Sequence, residues 1–354
     1  VMRVDVLRRA MEKSGADAAL ITSTENVAYY SRFSGAGSQL LVTPGEKYFF
    51  TDFRYTEQAE AETDFTVVET KGASRVQTIF EYAAKHGAGR VGVDLSEVSY
   101  TAYRAYLKHI AEESVIDLSA AVALQRTVKD AGEIALIARG AKHNDLLFGH
   151  MCKLLRPGIS EMDIRAEIIY YMNKNGADIA FQPIVASGEN SSLPHAAPTE
   201  RKLQPGDFVT MDYGCRFGGY CSDFTRTVAI SHIDKEQQKG YDIVKCAGDM
   251  ALRALCSGRE ARGIDAIARG YIAQAGYGEA FGHGLGHGVG LMIHEAPTLN
   301  ELSDAVLADG MVVTVEPGIY LKGRWGVRIE DLCVVRNGGC ENLSAAPRDL
   351  IIIN

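Results

Sequence analysis

From Ala131 onward the chain repeats one order of elements. A helical pattern runs from Ala131 to about Leu155 and stops at Pro157-Gly158; a second helix opens at Ser160, with Asp163 completing a capping box, and ends near Gly176. Short strands follow from about Phe181 to Ile230. At an offset of roughly one hundred residues the order returns, with helices from about Asp234 to Ser257 and from Gly263 to Gly276 and strands from about Gly288. Met162-Asp163-Ile164 is echoed by Ile264-Asp265-Ala266. Such a duplication predicts two related halves around a shared strand layer, and a site at their seam would draw residues from both.

The preceding residues follow another plan. Helical stretches at Val4 to Ser14, Arg75 to His86 and Ser99 to Ser114 alternate with strands at Ala18 to Thr22 and Arg90 to Val93. Gln39 to Thr43 and Lys47 to Thr51 flank a turn at Pro44-Gly45-Glu46. The alternation predicts an α/β layer domain over residues 1–118, a join over 119–130 and a second domain over 131–354, and a length of 354 residues agrees with two domains. The first domain carries no His, Asp and Glu constellation that reads as chemistry.

With 37 Lys and Arg against 45 Asp and Glu the chain lacks the basic excess that phosphate-backbone binding needs, so nucleic acid is not an expected partner. The segment from Val1 to Val6 has no basic stretch leading into a long apolar run, and nowhere do about 18 apolar residues stand together, so neither a secretion signal nor a membrane span is expected. The seven cysteines form an odd set without CxxC spacing and read as reduced thiols of a cytoplasmic protein, small and interior, with no chemical role.

Chemistry concentrates in a few stretches of the second domain. Asp212 closes the apolar run Phe208 to Met211 and Asp223 opens Phe224 to Val228, with Gly218-Gly219 between; if the runs pair as a ribbon, both carboxylates lie near one point. An Asp beside glycine is as readily a turn residue. Glu316 ends the run Val312 to Val315, which reads as a buried strand, so its carboxylate must be paired or bound to a cation. Glu330 lies two residues after Arg328, on the same side of an extended chain, where the pair alone reads as a salt bridge. His283 and His287 stand in a stretch with glycine at every other position from 282 to 290. Each histidine taken singly is as well explained as a satisfied core or loop residue.

The conjunction says more than its parts. Four carboxylates in one interior cannot all stay ionised without compensation, and two divalent cations would balance them by count. Oxygen donors with one imidazole suit Mn²⁺ and tolerate Co²⁺ or Zn²⁺, while the lack of thiolate ligands argues against a structural zinc. His294-Glu295 is not followed by a second histidine at the HExxH spacing, the glycine-rich stretch has no GxGxxG or Gly-Lys-Ser/Thr, and there is no GxSxG.

Met211-Asp212-Tyr213-Gly214, Ser222-Asp223-Phe224-Thr225-Arg226-Thr227, Gly282-His283-Gly284-Leu285-Gly286-His287-Gly288, Ile293-His294-Glu295, Val315-Glu316-Pro317-Gly318 and Val327-Arg328-Ile329-Glu330-Asp331 together resemble the motifs of the M24 metallopeptidases, in their proline-specific branch of Xaa-Pro dipeptidases (prolidases) and Xaa-Pro aminopeptidases. The resemblance runs from about Val128 to the C-terminus, and residues 1–118 are similar to the creatinase-type N-terminal domain found ahead of it. It implies an α/β N-terminal domain followed by an α+β pita-bread catalytic domain with an internal pseudo-twofold duplication.

Carried over residue by residue, the resemblance makes Asp212, Asp223, His287, Glu316 and Glu330 the metal ligands. Asp212 would hold one ion, His287 and Glu316 the other, and Asp223 and Glu330 both. It gives His195, within Asn190 to Pro198, and His294 the part of histidines facing the substrate. His283 becomes a further pocket histidine, and Arg328 the arginine of the proline-specific members. The implied reaction is hydrolysis of the bond before proline by hydroxide held between two metal ions, with Glu316 as proton carrier and His195, His294 and Arg328 as its helpers. The substrate would be a short proline-containing peptide and the protein a homodimer. Methionine aminopeptidase shares these ligands but needs no preceding domain; creatinase and the non-catalytic pita-bread modules resemble sites whose ligands are replaced.

Overall fold

The computed structural model describes residues 3–71 and 74–354, and the opening Val1 and Met2 lie outside the described residues. Two compact units divide between Arg126 and Thr127.

In the first unit, helix α1 (Arg3–Ser14) leads to strand β1 (Ala18–Ile21), followed by α2 (Thr24–Ser31), β2 (Gln39–Val42), β3 (Lys47–Thr51), α3 (Thr56–Glu62), β4 (Thr66–Glu69), α4 (Arg75–Lys85), β5 (Val91–Val93), α5 (Tyr100–Tyr106), β6 (Val115–Asp117) and α6 (Ser119–Thr127). One six-stranded sheet results, in the order β4-β3-β2-β1-β5-β6. The β2–β3 hairpin turns at Pro44-Gly45-Glu46, with Val42 paired to Lys47. β1 lies parallel to β5 and β5 parallel to β6, so helical crossovers join them.

The stretch expected as one helix over Ser99 to Ser114 differs. It stops at Tyr106, then turns through bonds from His109 N–H and Ile110 N–H to the Tyr106 carbonyl, because the chain must reverse before Val115 to reach the sheet edge. Of the residues 119–130 read as a join, Ser119–Thr127 form α6, and Arg126 Nη1 donates to Asn26 Oδ1 at 3.0 Å within the first unit.

The second unit carries the duplication. Helices α7 (Ala131–Leu154) and α8 (Glu161–Lys174) precede β7 (Asp178–Ile179), β8 (Ile184–Ser187), β9 (Phe208–Asp212), β10 (Cys215–Phe217), β11 (Tyr220–Cys221) and β12 (Thr225–Ile230). Helices α9 (Lys235–Ala254) and α10 (Ala261–Gln274) precede β13 (Gly286–Gly288), β14 (Glu295–Leu299), β15 (Val312–Val315), β16 (Gly318–Leu321), β17 (Trp325–Arg328), β18 (Asp331–Arg336), β19 (Gly339–Asn342) and β20 (Ile352–Ile353). Capping boxes open α7 at Asp130, α8 at Ser160 and α9 at Asp234.

The strands are divided between a sheet β20-β12-β9-β8, a sheet β14-β13-β15-β18-β19, a three-stranded piece β11-β10-β7 and the hairpin β16–β17. A period of two decides where the cores sit. Along β9, Phe208 faces the core of α9 and α10, whereas Val209 and Met211 face the core of α7 and α8. Along β12, Ala229 joins the first core, and Val228 and Ile230 the second. The β9–β12 pair is thus buried on both faces, between the helix pairs of the two repeats. No helix among the described residues is long and apolar enough to cross a membrane, and all seven cysteines are free.

Candidate metal centre

Asp212 and Asp223 are brought together by strand register. β9 runs antiparallel to β12 with Asp212 opposite Thr225, so the two acids end and precede paired strands at the same level. The excursion between them returns through the tight β10–β11 hairpin, where Phe217 pairs with Tyr220 and Gly218 and Gly219 adopt φ of 56° and 86°, the left-handed region that two-residue hairpins require.

The other half delivers the rest. β13 lies between β14 and β15, and only glycine admits such close backbones: a Cβ on Gly286 would sit 2.0 Å from the Thr314 carbonyl oxygen, and one on Gly288 would sit 2.3 Å from that of Ala296. This accounts for the glycine alternation around His287. Glu316 follows β15 and is fixed by its N–H to the Leu285 carbonyl at 2.8 Å. Glu330 follows β17, its N–H donating to the Thr225 carbonyl at 3.1 Å, so the two halves meet at the site itself.

Carboxylate oxygens of Asp212, Asp223 and Glu330 all lie within 4.8 Å of one another. His287 Nε2 stands 3.5 Å from Asp223 Oδ2 and 3.3 Å from Glu316 Oε1. Its Nδ1 is 3.1 Å from the Gly288 carbonyl, which can only accept; Nδ1 therefore carries the proton, and in the neutral ring Nε2 turns a lone pair toward the carboxylates. The Thr314 hydroxyl donates to Glu316 Oε1 and accepts from the His287 N–H, both at 3.0 Å, and the Thr225 hydroxyl donates to Glu330 Oε2 at 2.7 Å.

Burial, then the negative charge of their neighbours, pushes the Asp223 and Glu330 carboxyls well above the usual range. Burial also raises Asp212, against the pull of Arg328. Burial would raise Glu316 too, but the hydrogen bond and charge of His287, with His283 and Arg328, hold it low. Burial lowers His287, yet Glu316 and Glu330 carry it up to about 8. Glu330 Oε1 is buried without a hydrogen-bond partner. An orphaned carboxylate oxygen, a second carboxylate forced toward neutrality and a histidine presenting Nε2 are what divalent cations would relieve, and the oxygen-rich donor set suits hard or borderline ions. The residues fit such ions.

His195, His283, His294 and Arg328 line the same cavity of about 310 Å3 as the five clustered groups, so all nine residues singled out by the sequence converge. His294 packs edge-on to His287 with ring centroids 4.3 Å apart, and His195 is exposed at the rim.

Arg328 does not pair with Glu330 as the i, i+2 spacing suggested. The strand ends at Arg328, the chain bends through Ile329, and the guanidinium turns to Asp212 Oδ2 at 2.6 Å. Its Nη1 also donates to the Tyr320 hydroxyl at 2.8 Å, and that hydroxyl is 2.9 Å from His283 Nε2. Tyr320, Thr314 and Thr225 were not foreseen; the one available signal was that Tyr320 and Arg328 fall on neighbouring strands of a short hairpin, with Gly326 opposite Tyr320. Beneath the site Arg226, almost wholly buried, donates to the carbonyls of Thr225, Glu330, Ala346 and Pro347 and to Asp331 Oδ1, clamping the backbone that carries Glu330.

Residues 135–337 match the model of metallopeptidase family M24, and residues 3–128 that of the creatinase/prolidase N-terminal domain. An uncharacterized peptidase of Bacillus subtilis, YqhT, is 38% identical over 99% of this chain and 100% of its own length. Among solved structures, an Xaa-Pro dipeptidase from Bacillus anthracis superposes with a TM-score of 0.96 at 38% identity, covering 99% of each chain. An X-Pro aminopeptidase from Thermotoga maritima superposes with a TM-score of 0.90 at 36% identity, covering 98% of this chain and 100% of that one.

Proposed function

The chain belongs to metallopeptidase family M24, and from that premise we propose that it is a dinuclear exopeptidase that hydrolyses the bond before proline at the N-terminus of short peptides. One observation carries the reading: Asp212, Asp223 and Glu330, joined by His287 and Glu316, face one another across the seam of the two repeats.

Asp212 would hold one ion and His287 with Glu316 the other, while Asp223 and Glu330 serve both; Mn²⁺ suits this donor set. Two divalent cations bound there would lower the pKa of a water and act as Lewis acids toward the scissile carbonyl. The protein's own groups do the rest. Glu316 accepts the water's proton and returns it to the leaving nitrogen of proline, as general acid–base catalysis requires. His195 and His294 donate to the carbonyl oxygen as negative charge develops on it. Arg328 orients Asp212, and Tyr320 holds Arg328 and His283 in place. The proline nitrogen of the scissile bond carries no hydrogen, so recognition there rests on the shape of the ring.

The catalytic part on this reading is residues 131–354, and the protein works in the cytoplasm as a homodimer; light scattering of the purified protein tests the latter. Dialysed protein reloaded with Mn²⁺ should hydrolyse Ala-Pro. Asp223→Asn should lose bound manganese and turnover together, and full turnover by that variant would overturn the assignment.

A further inference from the structure

We propose that Glu161, which does not line the cavity, is a positioning residue: it fixes the loop that carries His195 and through His195 sets the rate of the chemical step. This rests on the hydrolysis proposed above and on the part given there to His195.

His195 is exposed, and among the described residues no hydrogen bond reaches its ring. It lies in a turn closed by the Ala196 N–H on the Leu193 carbonyl at 3.2 Å. An imidazole without partners goes where its backbone goes, so any contact it makes with a developing oxyanion is decided by how residues 188–198 are held. The two ends of that segment converge on one carboxylate. Glu161 is fully buried at the first position of α8. Its Oε1 accepts from the N–H and the hydroxyl of Ser187, both at 2.7 Å, where β8 ends. Its Oε2 accepts from the N–H of Thr199 at 2.9 Å and from the hydroxyl at 2.6 Å, where the segment returns. Asn190 Nδ2 reaches both oxygens, at 3.1 and 3.2 Å. The middle of the segment is held from elsewhere: the Ser191 hydroxyl accepts from the Gly326 N–H at 2.8 Å, and the Pro194 carbonyl from Arg328 at 3.3 Å.

Starting the helix does not call for this acid. Ser160 and Asp163 already form the capping box of α8, and in the second repeat the residue before Ile264, which echoes Met162, is Gly263. A buried carboxylate is tolerated when its lone pairs are met and its charge is balanced. Here the N-terminus of α8 favours the negative charge, and Arg201 Nη1 donates at 2.8 Å to the Ser187 hydroxyl that in turn donates to Glu161. Both oxygens must accept from main-chain N–H groups at once. Glutamine, equal in size, has to turn its amide nitrogen toward one of them, which releases either Ser187 or Thr199 and with it one root of the segment.

The test is a double-mutant cycle of Glu161→Gln and His195→Ala in the full-length, manganese-loaded protein, assayed on Ala-Pro. Glu161→Gln alone should lower kcat about tenfold with KM and manganese content unchanged, because a displaced His195 weakens a contact made in the transition state. In the His195→Ala background it should lower kcat no further. The same factor lost in both backgrounds, an unaltered kcat or a loss of manganese would each overturn the inference. His195→Ala protein that turns over like the parent removes the part given to His195, and this inference with it, while leaving the hydrolase reading intact; a parent that does not cleave Ala-Pro sinks all of them. Thr199→Val, which loses one hydroxyl and keeps the N–H, should show the same pattern at about threefold and serves in the cycle if Glu161→Gln does not fold. Hydrogen exchange followed by mass spectrometry needs no turnover: either variant should speed exchange over residues 187–199 by about tenfold and leave 208–212 as protected as in the parent, and unchanged protection over 187–199 also refutes the positioning role.

Discussion

Replacing Glu330 with Gln should make the metal-free protein more stable while removing its response to metal. Two neighbouring carboxylates have oxygens within 4.8 Å of those of Glu330. At an effective dielectric of about 20, unit charges that far apart repel by about 3.5 kcal/mol per pair, an upper bound because a proton is taken up before the full cost is felt. Glutamine keeps an oxygen to accept from Thr225 and loses the charge.

The sign follows from the direction of the shifts. Burial and like charges raise the Glu330 and Asp223 carboxyls in the folded state, so the metal-free fold loses stability as pH climbs above their ordinary values. His287, raised to about 8, adds stability below its ordinary value that is likewise lost as pH rises through about 8. In EDTA-dialysed protein at pH 8, Glu330→Gln should therefore gain about 2 kcal/mol, a rise in Tm of about 4–8 °C for a unit of this size, shrinking toward zero at pH 5. The parent should gain about 2.7 kcal/mol from Mn²⁺ at about one hundred times its dissociation constant, and the variant almost nothing. Differential scanning fluorimetry at the two pH values, with and without MnCl2, reads all of this. A variant equally destabilised at both pH values that still responds to manganese would show that Glu330 neither feels its neighbours nor holds metal.

His195→Ala and His294→Ala should each lower kcat by about 10²-fold or more with manganese content by atomic absorption unchanged, since they act on the carbonyl oxygen and not on the ions. Arg226→Met should destabilise the second unit by about 3 kcal/mol in urea unfolding, because four buried carbonyls lose a donor and Asp331 keeps only Arg348 as its ion-pair partner. Gly286→Ala forces β13 from β15 and should reduce manganese affinity and Tm together; an alanine variant with parental affinity would refute the close-approach argument.

Much of the centre was legible because its residues sit at ends of strongly apolar runs. Asp212, Asp223 and Glu316 each border a run apolar enough to mark a buried strand, and the duplication implies a site at the seam drawing on both halves. The spacing of Arg328 and Glu330, taken alone, suggests a salt bridge that does not form, because spacing cannot reveal that the chain bends at Ile329, a turn set by the pairing of β17 with β16 and of β18 with β15. Tyr320 escaped notice since a strand tyrosine looks the same whether its hydroxyl meets water or an arginine. In the first unit, α3 is too short and too polar for periodicity to mark, and the end of α5 is decided by the sheet edge, which no local signal encodes.

Because adjacent residues of β9 and β12 serve opposite interiors, that ribbon is a party wall held up by both rooms. Neither repeat is an autonomous fragment: a chain cut between Ser231 and Asp234 leaves the first piece with a naked flank of Phe208 and Ala229, and takes those two residues from the core that α9 and α10 share with β15, β17 and β18. The wall ends in Asp212 and begins again just past Asp223, so loosening either room displaces the acids at its edge.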